Sequence, residues 1–215
     1  MRKLLLFPIL VASSINAQVS KKSDFEIKPY VGYSNSFQFG ERVNSYDEKK
    51  SRKDITFGVL AQLGFNNHIA AVTGIQYQRM GSTLIDDPIE PHYAGMYDKE
   101  EFDYISVPLL IKYKFGSEKK WNIQAGLVLS RLLSAKNNGE DISHVVNYSQ
   151  VYGSIGFGYN YPINDRLSLA IDQQNTVGLV TNRANNNGYV GFYSPTTYKR
   201  YNFYSSLNFG IQIKL

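Results

Sequence analysis

FDYISVPLLIKYKF, residues 102–115, alternates from Ile105 onward. Ile105, Val107, Leu109, Ile111, Tyr113 and Phe115 fall on one face, and Ser106, Pro108, Leu110, Lys112 and Lys114 on the other. Successive strand side chains project to opposite faces, so the stretch predicts a β-strand with one continuous apolar side. That side ends in aromatics just before a short polar turn, 116–120, and the next strand opens with Trp121. An aromatic rim where an apolar strand face stops fits a strand that crosses a bilayer and meets the headgroup layer.

The same period of two recurs in seven other stretches: Phe25–Phe37, Asp54–Phe65, Ala70–Ser82, Trp121–Leu132, Tyr148–Tyr159, Leu167–Gly178 and Tyr201–Leu215. Four long connections, 38–53, 83–101, 133–147 and 179–200, alternate with three short turns, at Asn66-Asn67, 116–120 and 161–166. Short turns on one side and long loops on the other predict an all-β fold, an eight-stranded antiparallel up-and-down transmembrane β-barrel with both termini periplasmic. A water-soluble barrel would turn its apolar faces inward. Here the polar faces are rich in Gly, Ser, Gln and Asn, which suit a narrow lumen better than a soluble surface.

The amino terminus carries Arg2 and Lys3, then a mostly apolar run from Leu4 to Ile15, then Ile15-Asn16-Ala17. This predicts a signal peptide over residues 1–17, cut before Gln18, with the barrel domain over 18–215. The apolar run is too short for a spanning helix, which needs about 20 residues. The chain has no Cys, and its formal charge of +5 becomes +3 without Arg2 and Lys3. That mild, dispersed charge argues for no nucleic-acid partner. Seventeen Tyr and twelve Phe coexist with a negative mean hydropathy. A barrel in a membrane needs an apolar residue only at every second strand position, so it can be polar on average and rich in aromatics.

The YISVPLLIKYKF run, the signal peptide, the Gly-rich sixth strand YGSIGFGYNY and the strand running to the last residue resemble the outer-membrane β-barrel family of Gram-negative bacteria that includes PorT-like proteins. The resemblance covers the mature chain and implies a fold and an outer-membrane location, with insertion by the barrel-assembly machinery. It implies no catalytic site and no cofactor. Such barrels usually end in an aromatic residue, whereas this chain ends Ile213-Lys214-Leu215.

Two groups of residues are candidates for chemistry. Glu26, Lys28, Lys112, Lys114 and Lys214 fall on inward faces near the periplasmic end, with Asp172 deeper. Charges in a lumen are costly unless paired, so a Glu26–Lys214 or Glu26–Lys28 contact is expected, with Asp172 partnering a lysine. These charges read either as a solute path or as a polar plug. On the outer side, Lys49, Lys50, Arg52 and Lys53 could meet lipopolysaccharide phosphates, or be an ordinary solvated loop. Tyr93, Tyr97, Tyr189, Phe192 and Tyr193 could form a protein-partner surface. His68, His92 and His144 are the only histidines. None pairs at metal-ligand spacing, and mobile loops hold general bases poorly, so neither a metal nor an enzyme is expected. The expected role is structural or binding, through the outer loops, with a transport or secretion-accessory barrel as the alternative and a membrane-embedded hydrolase as the third reading.

Overall fold

The computed structural model describes residues 25–40, 48–85, 97–181 and 199–215. Eight long strands run in order: β1 Phe25–Gly40, β2 Glu48–Gly64, β3 Ile69–Ile85, β4 Tyr97–Phe115, β5 Trp121–Asn137, β6 Ser149–Pro162, β7 Leu167–Gly178 and β8 Arg200–Lys214. Each pairs antiparallel with its chain neighbours, and β1 pairs with β8 to close the barrel. Between β5 and β6 lie a two-residue ladder, Glu140–Asp141, and a 3-10 turn, Ser143–Val145. The predicted signal peptide lies outside the described residues.

The register sets the barrel's shape. Starting at Lys53 on β2, the paired residues are Asn35, Ser205, Asn175, Ile155, Ala125, Ile111 and Ala71, and the circuit returns to β2 at Leu63. The stagger is therefore 63 − 53 = 10 residues. With eight strands and ordinary strand spacings, that stagger tilts the strands by roughly 40°.

The alternation predicted from sequence is the alternation of exposure. Outward Ile55 and Ile75 are 62% and 59% exposed, while inward Gln76 and Ser106 are 1% and 0% exposed. Apolar residues outside and amides inside exclude the soluble, inside-out arrangement. Aromatics bracket the apolar belt. On the periplasmic side, Trp121 packs on Tyr159 and Phe157, and Tyr113 lies between His68 and Phe115. On the outer side, Phe57 stacks on Tyr77 and Phe37 on Phe203. Just above the belt come Lys53 beside Asn35, Arg79 beside Asp103, and Arg131 over the Tyr148 ring.

The strands run further outward than their apolar periodicity. The run Glu48–Lys53, expected in a loop, belongs to β2; β4 begins at Tyr97 and β5 continues to Asn137. Above the bilayer a strand has no need of an apolar face, because its backbone ladder and ion pairs suffice; the periodic signal therefore stops at the membrane edge while the sheet continues. A register shift between Asp103 and Tyr104 leaves Leu133 as an extra residue in β5. This bulge reverses the alternation, so Ala135 turns inward and is fully buried.

Candidate functional site

The lumen holds the buried chemistry, in three layers. At the periplasmic end, Glu26 accepts from Gln62 and Gln212 and from Lys114 at 3.3 Å. Lys28 pairs instead with Asp172, which is 2% exposed. This corrects the expected Glu26–Lys28 contact. The reason lies in β8: Gly210 has no side chain beside the Lys28 stem, where a Cβ would come within 3.1 Å of Cγ. The lysine can therefore pass across β8 to reach β7. Gly158 likewise leaves room for Asp172, since a Cβ there would lie 2.1 Å from Oδ1. Lys112, 1% exposed, shares this space. Lys214 lies opposite Glu26 in the β1–β8 register.

Above this cluster large apolar side chains join a polar lining. Tyr30, Leu60, Met80, Phe102, Tyr104, Leu110, Val128, Leu132, Tyr152 and Tyr204 form one buried core. The expected polar lining is present, in buried Ser34, Gln76, Gln78, Ser106, Gln124 and Ser154, and this apolar core is added to it. An eight-stranded interior is just wide enough to be filled, and inward Tyr and Leu fill it where Gly, Ser and Gln would leave voids. The Tyr30 hydroxyl donates to Gln76 Oε1 at 2.9 Å, and Ser106 donates to Gln78 Oε1 at 2.9 Å, so part of the polar lining is satisfied internally.

The third layer closes the outer end. Glu100 is fully buried and accepts from Arg200 Nη1 at 2.9 Å and from Gln38 Nε2 at 2.8 Å. Ser82 donates to Gln38 Oε1 at 3.2 Å. The sequence does not disclose this pair, because Glu100 and Arg200 lie in stretches with no apolar alternation to reveal their facing.

On the outside of the same strand ends, charges knit β2, β3 and β4. Arg52 pairs with Asp54 and with Glu101, Lys99 reaches Glu101 at 2.9 Å, and Arg79 reaches Asp103 at 2.7 Å and Asp54 at 3.7 Å. The Arg52 hydrogen bond holds the Glu101 carboxyl at about 2, below the ordinary 4.5. A depressed carboxylate stabilises the fold above its unfolded value and loses that contribution as pH falls. The stability gap between the native chain and Glu101→Gln is therefore expected to be constant above pH 4.5 and to close as pH approaches 2. Paired unfolding titrations check this, and a gap that persisted unchanged at pH 2 would contradict it.

Of the outer-loop candidates, Lys50 and Lys53 are exposed on β2, while Arg52 is committed to Asp54 and Glu101. Lys49 and Tyr97 lie in β2 and β4 by backbone. Tyr93, Tyr189, Phe192 and Tyr193 lie outside the described residues, as does His92. His68 sits at the periplasmic turn, its Nδ1 3.0 Å from the Lys114 carbonyl. His144 lies in the exposed 3-10 turn next to Ser143, whose hydroxyl accepts from the Ala135 amide at 3.1 Å. Among the described residues no three His, Cys, Asp or Glu side chains converge as a metal site.

The family model of the outer membrane protein beta-barrel domain matches residues 16–215. No curated protein matches the sequence. Among solved structures, the outer membrane protein AlkL, determined in lipid bilayers, is similar at 12% identity over 91% of each chain, with a TM-score of 0.52. OprG from Pseudomonas aeruginosa is similar at 10% identity, over 91% of this chain and 97% of that one, with a TM-score of 0.50. Neisserial surface protein A aligns at 13% identity over 91% of this chain and all of the other, with a TM-score of 0.48. At these identities the likeness is one of fold.

Proposed function

Because the chain belongs to the outer membrane protein beta-barrel domain family, we propose that it is a sealed, non-catalytic barrel whose working surface is its outer end. The protein resides in the outer membrane. The observation that carries the reading is the filled lumen. The Glu100–Arg200 pair, the aromatic core and the Glu26–Lys114 and Lys28–Asp172 pairs occupy successive levels from outside to periplasm. A barrel so filled offers a solute little path, and its strands instead hold up a stiff collar above the bilayer. The loops beyond that collar would bind a protein partner, and exposed Lys50 and Lys53 with Lys49 would meet lipopolysaccharide. The leader over 1–17 would be removed on export, and the assembly machinery would insert the mature chain.

Planar-bilayer recording tests the seal and separates this reading from a transport or secretion barrel. The purified native protein is expected to show no discrete conductance steps at any applied potential. Regular open-channel steps from the native chain would overturn the proposal and favour transport.

A further inference from the structure

The lipid-facing wall of the barrel is apolar nearly all the way round, but one sector is not. On β7, Asp172, Gln174 and Thr176 are buried in the lumen, so Gln173 and Asn175 point outward, between exposed Ile171 and Val177. Ser205 on β8 lies directly opposite Asn175. Gln173 Nε2 donates to Asn175 Oδ1 at 2.7 Å and approaches Ser205 Oγ at 3.4 Å. Gln173 is six residues from Leu167 and five from Gly178, which puts it at mid-strand and near the middle of the apolar belt.

Those bonds leave the Asn175 amide hydrogens and the Gln173 carbonyl oxygen with no partner among the described residues. Acyl chains supply neither donors nor acceptors, and headgroups lie half a bilayer away. Polar groups at that depth are costly unless a protein neighbour satisfies them. Beside them the wall is concave, a hollow of about 260 Å³ lined by Gly153, Ile155, Val177 and Phe203. Gly153 opens it, since a Cβ there would meet nothing closer than 3.6 Å.

We propose that this β6–β8 wall is the contact between two copies of the chain. Two copies inserted in the same orientation are related by an axis along the membrane normal, so every residue meets the partner wall at its own depth. An isologous contact thus brings amides to amides without further design. A primary amide both donates and accepts, so Gln173 and Asn175 of one copy can satisfy those of the other with no charge to repel. The hollow takes an apolar side chain from the facing wall.

The chain has no native cysteine, so single thiols report the contact cleanly. Gln173→Cys and, on the opposite wall, Leu109→Cys are treated with a short thiol crosslinker in native membranes. A dimer-sized band is expected from Gln173→Cys and absent from Leu109→Cys. In detergent, the Gln173→Leu, Asn175→Leu double variant should keep its heat-modifiable migration yet dimerise roughly tenfold more weakly, the scale of losing a side-chain hydrogen-bonded pair in a membrane. The proposal fails if Gln173→Cys remains monomeric, if its crosslinked product contains a different protein, or if native and double-variant chains sediment alike.

Discussion

Truncating Arg200 to alanine is expected to lower the barrel's unfolding free energy by about 3–5 kcal/mol, the usual cost of breaking a buried ion pair by removing one member. Glu100 is fully buried, and the truncation removes the guanidinium from which it accepts at 2.9 Å while leaving the neutral Gln38 amide at 2.8 Å. Removing both charges at once costs far less. Glu100→Gln with Arg200→Met leaves no uncompensated ion and keeps comparable volume, so the double variant should recover most of the loss. Urea unfolding in detergent, followed by the single Trp121, reads both. A loss below about 1 kcal/mol for Arg200→Ala would show the pair to be as weak as an exposed one.

The two sides of the barrel wall were not equally legible in the sequence. Ile105 to Phe115 announces its facing because lipid demands an apolar side chain at every second position, and the same demand marks all eight strands. Above the bilayer that demand ends. Lys53, Arg52 and Glu100 therefore look like loop residues although the ladder runs through them. Inside, the inward charges could be named because they interrupt an inward-facing set, and so could a lysine partner for Asp172, but not which lysine it is. Lys28 skips Glu26 for Asp172 because Gly210 and Gly158 clear the way, a relation between four strands that no single-strand pattern contains. The bulge at Leu133 is equally silent in sequence, since one extra residue simply shifts the alternation. Gln173 and Asn175 were visible as polar residues at outward parity, yet only the closed wall shows that they and Ser205 form one patch.

In the periplasmic cluster, the balance of charges sets the direction of each substitution's effect. Among the described residues, Lys28, Lys112 and Lys114 gather around two carboxylates, Glu26 and Asp172. An anion lost from such a group leaves three cations with one carboxylate, whereas a cation lost leaves two against two. Asp172→Ala is therefore expected to cost about 3–5 kcal/mol, because it removes the carboxylate that Lys28 pairs with. Lys112→Met should be neutral or stabilising, because Lys112 is buried with no ion pair among the described residues and the thioether side chain nearly conserves its volume. The informative variant is the combination. If the count governs, Lys112→Met should restore part of the stability lost in Asp172→Ala, so the two effects will not add. Equal and additive losses in a double-mutant cycle would instead mean that Lys112 is held by local packing and takes no part in the charge balance of the lumen.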